Sequence, residues 1–173
     1  MKKFFIIFIL LCNCIYIQAA AKTLKAGVSY TLNGIRTIAF EKVEKKIDVS
    51  KYKKYFVYNE FCKNKKTLFR GKECTIRKFT QFSDGDFGVL YKSPKHVGFY
   101  YDKKGNLRSI EFFLSSENII KRITYDRNGD FDSVAVDVKP DEQYVFDSEG
   151  KLFAHWIGKN GYNEKGELFG TRN

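Results

Sequence analysis

A short motif recurs in the C-terminal half of the chain and constrains what this sequence can fold into. It consists of an aromatic residue, Asp or Asn, two free positions, Gly, any residue and an apolar residue, and it occurs four times. The copies begin at Tyr101, Tyr125, Phe146 and Tyr162, and a shortened copy begins at Phe82. Such repetition is typical of one small supersecondary unit that is stacked several times. The motif therefore indicates an architecture and says little about chemistry.

Each copy of the motif predicts a tight β-hairpin. The Asp or Asn side chain can accept a hydrogen bond from the backbone two residues on, and Gly adopts the positive φ that closes the turn. Apolar and polar residues alternate after the first copy, over residues 107–112, and this alternation is typical of a β-strand. We therefore predict an all-β fold in which an antiparallel β-meander of repeated hairpins occupies residues 96–170.

The first residues of the chain predict a secretory signal peptide over residues 1–21. Two lysines at 2–3 precede an apolar stretch over 4–17, and three alanines at 19–21 offer a cleavage site. This order of basic, apolar and small residues is typical of an exported protein. The apolar stretch is short for a membrane span, so a retained anchor helix is the less favoured alternative.

A lipoprotein is the second alternative, because Cys12 and Cys14 lie inside the signal segment. Leu11 and Asn13 precede these cysteines, whereas lipid attachment normally requires a small residue at that position. We therefore expect a periplasmic or secreted protein with no transmembrane segment after signal cleavage.

The sequence after the signal peptide predicts a single β-rich domain over residues 22–173. This length is sufficient for one hydrophobic core, and no linker rich in Pro, Gly or Ser interrupts it. Residues 22–95 form a basic region that we predict to contain hairpins, and residues 96–170 form the repeat region.

Local signals within the basic region predict further elements. Asn33-Gly34 predicts a hairpin, because this dipeptide favours a two-residue turn. Residues 41–54 allow either a short helix or a charged loop, and residues 55–62 have the composition of a strand.

Two cysteines follow the predicted cleavage site, Cys62 and Cys74. An oxidising compartment favours pairing of an even number of cysteines, so we predict a disulfide between them. Closing a loop of this size stabilises the folded state by about 3 kcal/mol. Two unpaired buried thiols are the alternative. A catalytic cysteine is less favoured, because His96 and His155 are the only histidines and neither is nearby in sequence.

Positive charge is concentrated in the first half of the chain. Residues 22–98 contain 18 Lys and Arg against 7 Asp and Glu, whereas residues 99–173 contain 11 against 13. The candidate anion-binding residues are Lys51, Lys53, Lys54, Lys63, Lys65 and Lys66, with aromatic residues among them. In an exported protein they favour an anionic surface polymer, lipid headgroups or an acidic protein partner over nucleic acid. The alternative is that these lysines reflect genome composition and protect strand edges from aggregation.

The second copy of the motif is the candidate for a metal site. Its possible calcium ligands are Asp126, Asn128, Asp130, Asp132 and Asp137. Calcium prefers about six to eight oxygen ligands at spacings of this kind. However, Phe131 stands where an EF-hand loop has Gly, and the twelfth position is Asp rather than Glu. A turn with additional acidic residues is the alternative that we favour, and we expect no cofactor.

His155 is the candidate for a catalytic role, since it lies beside the only tryptophan, Trp156. On a strand, Phe153 and His155 would share one face and Ala154 and Trp156 the other. The alternative function is thus a small secreted enzyme or effector whose site is assembled around His155 and nearby carboxylates. The sequence contains no P-loop, zinc-ligand spacing or nucleophile elbow. We therefore assign no catalytic residues and favour a non-enzymatic protein.

The repeated motif resembles the YD repeats of bacterial RHS proteins and the MORN-like repeats of small bacterial antitoxin-type proteins. The resemblance covers about residues 82–170. It implies a β-meander scaffold and a role in binding or encapsulation, and it supplies no catalytic residues. The sequence as a whole predicts an exported, non-enzymatic β-repeat module that binds an anionic surface polymer or a protein partner.

Overall fold

The computed structural model describes residues 31–59, 68–69, 72–73, 75–115 and 119–172. Its strands are β1 (Leu68–Phe69), β2 (Lys72–Glu73), β3 (Ile76–Gln81), β4 (Phe87–Tyr91), β5 (Val97–Tyr101), β6 (Leu107–Ser115), β7 (Ile120–Asp126), β8 (Phe131–Lys139), β9 (Glu142–Asp147), β10 (Leu152–Ile157), β11 (Asn160–Tyr162) and β12 (Leu168–Thr171). Strands β3 to β12 form one ten-stranded sheet in chain order, and β1 pairs with β2 separately. The all-β antiparallel meander predicted from the sequence is confirmed.

A helix, α1 (Leu32–Phe40), stands where the sequence predicted a hairpin at Asn33-Gly34. That prediction is wrong for a local reason. The Thr31 hydroxyl accepts a hydrogen bond from the Gly34 backbone N–H at 3.2 Å and caps the helix. Ile35 and Ala39 are four residues apart and fully buried, so the helical spacing of apolar residues outweighs the turn signal.

A 3-10 helix (Val49–Tyr55) follows, within the segment that the sequence allowed to be a short helix or a charged loop. Its first turn is capped by Asp48, whose side chain accepts a hydrogen bond from the Ser50 backbone at 2.9 Å. The strand predicted to begin at Tyr55 is wrong, because the chain is still helical there and Val57 makes only an isolated bridge.

The hairpin turns of the repeated motif are confirmed. Glycines at the fifth position have positive φ values, 85° at Gly105, 87° at Gly129, 81° at Gly150 and 77° at Gly166. In the first copy the Asp102 carboxylate accepts hydrogen bonds from the backbones of Lys104 and Asn106, both at 2.9 Å. The motif therefore encodes turns that are closed by a side chain and a glycine.

The chain divides into two compact units and passes between them after Val43, Phe113, Arg122 and Asp132. Of the elements named above, the first unit contains α1, most of β8 and all of β9–β12, and the second contains the 3-10 helix and β1–β5. Strands β6 and β7 contribute residues to both. The sequence-based prediction of a single domain stays a prediction.

The core of the second unit is strongly aromatic. Its buried members are Tyr55, Phe87, Val89, Tyr91, Val97, Phe99, Tyr101, Leu107 and Ile110. The Tyr55 ring lies 4.2 Å from the Phe99 ring and 4.6 Å from the Tyr91 ring, measured between centroids. These contacts fix the 3-10 helix against the sheet of its own unit.

One cluster of the core of the first unit has Ala135, Val145, Ala154 and Trp156 at its centre. Trp156 is 1% exposed, and the Phe169 ring meets it edge-on with centroids 5.4 Å apart. A membrane-spanning helix, judged by length and apolar content, is absent from the residues that the structure describes.

Candidate functional site

Three of the predicted anion-binding lysines lie on the 3-10 helix of the second unit. Lys51 and Lys53 are exposed and Lys54 is half-buried, with its ammonium group 4.8 Å from the centre of the Tyr55 ring. The Tyr52 ring packs 5.9 Å from Phe99 between centroids. The tyrosines therefore hold this helix on the sheet, while Lys51 and Lys53 extend into solvent.

A second lysine-bearing segment is joined to this helix by a hydrogen bond. The Tyr55 hydroxyl donates to the backbone carbonyl of Ser93 at 2.7 Å. Ser93 is in the turn between β4 and β5, next to the exposed residues Lys92 and Lys95. Burial raises the pKa of Tyr55, so its hydroxyl keeps the proton that it donates.

We use the term basic face for the lysines of the two segments that this hydrogen bond joins, namely Lys51, Lys53, Lys54, Lys92 and Lys95. Sequence reasoning missed the last two, because 38 positions separate Tyr55 from Ser93. The sequence did contain one signal for the helix itself. Tyr52, Tyr55 and Tyr58 are spaced three residues apart, which is the period of a 3-10 helix, and this spacing indicates a side of the helix that packs inward.

One acidic residue lies close to the basic face. The Asp48 carboxylate accepts hydrogen bonds from Ser50, and these bonds, with smaller contributions from the charges of Lys51 and Lys53, lower its pKa. Asp48 therefore remains ionised and offsets part of the positive charge. Its carboxylate already caps the 3-10 helix, as described above.

The other predicted binding residues of this region, Lys63, Lys65 and Lys66, lie outside the described residues, as do Cys62 and Cys74. Their contribution to the basic face and the predicted disulfide both stay predictions.

The predicted calcium ligands are only partly brought together. One oxygen of Asp126 accepts hydrogen bonds from the backbones of Asn128 at 2.8 Å and Asp130 at 2.9 Å. Asp130 pairs with the Lys46 ammonium at 2.8 Å, and Asp132 is half-buried in β8. In the described part of the chain, no three His, Cys, Asp or Glu side chains group in a way that could hold a metal ion.

Asp137, the fifth predicted calcium ligand, belongs instead to a polar network in the first unit. Its carboxylate accepts hydrogen bonds from Arg122 at 2.5 Å and from the Gln143 amide at 2.7 Å. Gln143 in turn accepts one from Arg172 at 3.0 Å, and the Arg172 guanidinium lies 4.0 Å from the centre of the Trp156 ring. Burial raises the pKa of Asp137, and the charge of Arg122 opposes that rise.

His155 lies on the opposite face of β10 from Trp156, and its ring stacks on Tyr144 with centroids 4.0 Å apart. Its Nε2 atom is 3.0 Å from the Glu142 carboxylate, which also accepts hydrogen bonds from the Tyr144 hydroxyl and the Lys139 ammonium, both at 2.8 Å. Burial alone would raise the pKa of Glu142, but these hydrogen bonds lower it. The histidine cluster is thus a carboxylate surrounded by three donors.

Comparison with known proteins gives no relative from which a function can be transferred. No protein-family model matches this chain, and neither a curated protein nor a solved structure is significantly similar to it. The function is therefore argued from the chemistry of the basic face and of the histidine cluster.

Proposed function

We propose that this protein is an exported, non-enzymatic binding module that holds an anionic partner on the basic face of its second unit. The observation that carries the proposal is the hydrogen bond from Tyr55 to Ser93, which joins two lysine-bearing segments that are distant in sequence. Lysines on flexible, separate loops would lose more conformational entropy on binding than lysines on a fixed support.

The charge distribution supports an anionic partner. The basic face carries five lysines from the half of the chain in which basic residues outnumber acidic ones by 18 to 7. A local excess of one charge attracts partners of the other charge and accelerates their association. The partner classes that fit are an anionic surface polymer, lipid headgroups or an acidic protein, and nucleic acid is disfavoured by the export predicted from residues 1–21.

Binding to soluble polyanions tests this proposal. Inorganic polyphosphate and polyglutamate are titrated against the wild type and a variant in which Lys51, Lys53 and Lys54 are replaced by Gln. The matched control replaces three exposed lysines elsewhere, Lys103, Lys159 and Lys165, so both variants lose the same net charge. The basic-face variant should bind more weakly and depend less on salt concentration. Equal losses in both variants would contradict the proposal.

A small secreted enzyme is the second candidate, and the contact between His155 and Glu142 favours it. A carboxylate that orients a histidine is a common part of acid-base sites. However, Glu142 also accepts hydrogen bonds from Lys139 and Tyr144, so the cluster has the character of a satisfied surface network. If an activity of the protein is found and His155→Gln abolishes it with the fold intact, the enzyme candidate is preferred.

A further inference from the structure

Val57 is the most exposed large hydrophobic residue in the described part of the chain. Its exposed fraction is 65%, compared with 58% for Leu168, 48% for Ile157 and 46% for Leu114. One exposed apolar side chain is ordinary on a protein surface. The position of Val57 is what distinguishes it, because it follows Lys51 and Lys54 at successive intervals of three residues.

The backbone on both sides of Val57 is fixed. The Tyr58 N–H donates to the Gly105 carbonyl at 2.8 Å, and the Leu107 N–H donates to the Phe56 carbonyl at 2.9 Å. The Tyr58 ring also packs 4.9 Å from the Phe87 ring between centroids. Val57 is therefore held in an exposed position by the same segment that carries the lysines.

Residues 49–58 are thus amphipathic, because the tyrosines pack on the sheet while Lys51, Lys53 and Val57 are exposed, and Lys54 is half-buried. A soluble polyanion would use the lysines and leave Val57 exposed to water. A lipid surface uses both, because headgroups attract lysines and the boundary below them accepts an apolar side chain.

We infer that the anionic partner of the basic face is a lipid bilayer surface, with the lysines bound to anionic headgroups and Val57 inserted below them. This inference rests on the proposed function, since it uses the same lysines. Lysine suits such a partner, because its ammonium group is a compact charge on a flexible side chain. It can bind a headgroup without the fixed two-hydrogen-bond geometry that the arginine guanidinium uses. The lysines supply long-range attraction and Val57 supplies the apolar contact.

Vesicle sedimentation tests the inference. The purified chain is mixed with vesicles of phosphatidylcholine alone or with about one-third phosphatidylglycerol. All variants keep the same N-terminal residues, so differences between them report on the basic face. Val57→Ser should weaken binding to the anionic vesicles about tenfold, and Val57→Leu should strengthen it. The matched control is Leu168→Ser, which removes a similarly exposed apolar side chain in the first unit and should have no effect.

The lysine variant separates failure of this inference from failure of the proposed function. Replacing Lys51, Lys53 and Lys54 by Gln should lower vesicle affinity about fivefold for each lysine. If the lysines are needed and Val57→Ser binds as the wild type does, the inference that Val57 inserts into the bilayer is overturned, and the proposed function stands with an anionic partner bound through the lysines alone. If neither change alters vesicle binding, the lipid inference is overturned, and the polyanion titration described above decides the proposed function. Melting curves of each variant check that the fold is kept.

Discussion

The Ile47 backbone N–H donates a hydrogen bond to the Gly129 carbonyl at 2.9 Å, so the segment before the 3-10 helix lies directly on the second repeat turn. The Phe131 N–H donates to the Lys45 carbonyl, also at 2.9 Å. A Cβ atom at Gly129 would lie 2.4 Å from the Ile47 carbonyl oxygen, which real Cβ atoms do not approach. The first repeat turn is paired in the same way, since the Tyr58 N–H donates to the Gly105 carbonyl, but a Cβ atom at Gly105 would lie 3.5 Å from the nearest atom of Tyr58. The second turn is therefore the more tightly covered of the two.

The first prediction follows from that difference. Gly166→Ala introduces only backbone strain, because its φ is 77° and nothing lies within 4 Å of the added Cβ, and it should cost about 1 kcal/mol. Gly129→Ala adds a backbone clash and should cost about 3 kcal/mol or more. Urea unfolding of the two variants measures the difference. Equal costs in the two variants would show that Ile47 moves away from the added methyl group without a loss of stability.

The second prediction concerns the cation-π contact between Arg172 and Trp156. The Arg172 guanidinium lies 4.0 Å from the centre of the Trp156 ring, and Trp156 is almost fully buried. A double-mutant cycle with Arg172→Met and Trp156→Phe should give a coupling free energy of about 1 kcal/mol. Additive effects of the two variants would mean that the contact between the guanidinium and the ring contributes no measurable coupling.

The third prediction is a pH dependence of stability from Glu142. Hydrogen bonds from Lys139, Tyr144 and His155 outweigh burial and lower its pKa below the ordinary 4.5. Because the folded-state pKa is lowered, the ionised carboxylate stabilises the folded protein at pH values above the ordinary pKa. This stabilisation is lost as the pH falls through the lowered pKa. The urea midpoint of the wild type should therefore exceed that of Glu142→Gln near neutral pH and approach it in acid.

Asp137 provides a control of opposite sign for that experiment. Burial raises the pKa of Asp137 above the ordinary 3.8. Its contribution to the stability of the folded protein is therefore present at pH values below the ordinary pKa and is lost as the pH rises through the raised pKa. The midpoint difference between the wild type and Asp137→Asn should thus decrease with rising pH. Parallel trends in the two variants would contradict one of the two assignments, that for Asp137 if both differences rise with pH and that for Glu142 if both fall.

The fourth prediction tests calcium at the second repeat turn. Asp130 is paired with Lys46 at 2.8 Å, and both side chains are more than half exposed. Exposed ion pairs of this kind contribute little to stability, so Asp130→Asn should change the melting temperature little. Added calcium should leave the melting temperature of the wild type unchanged. A calcium-dependent rise that Asp130→Asn abolishes would establish a metal site instead.

The fifth prediction is the disulfide between Cys62 and Cys74. Mass spectrometry of a non-reduced digest of the exported protein should show the two peptides crosslinked, because export places the pair in an oxidising compartment. N-terminal sequencing of the same sample checks that the chain begins near residues 20–22. Two freely alkylated thiols would refute the disulfide.

The candidate site was only partly predictable. Lys51, Lys53 and Lys54 stand out in the sequence as a basic cluster, and the structure places them on one short helix. Lys92 and Lys95 could not be linked to them from the sequence, since the hydrogen bond between Tyr55 and Ser93 joins segments 38 positions apart. The same limit applies to Asp137, which the spacing grouped with Asp126 and the structure pairs with Arg122.

The sequence by itself determined the repeat turns and the antiparallel meander, because a turn is closed by interactions among neighbouring residues, an Asp side chain and a glycine with positive φ. It failed at Asn33-Gly34, where burial of Ile35 and Ala39 in the tertiary structure selects a helix. Only the tertiary structure decided which turn is covered by Ile47 and which lysine-bearing segments are joined. Those relationships join residues far apart in the chain, and short-range patterns carry no information about them.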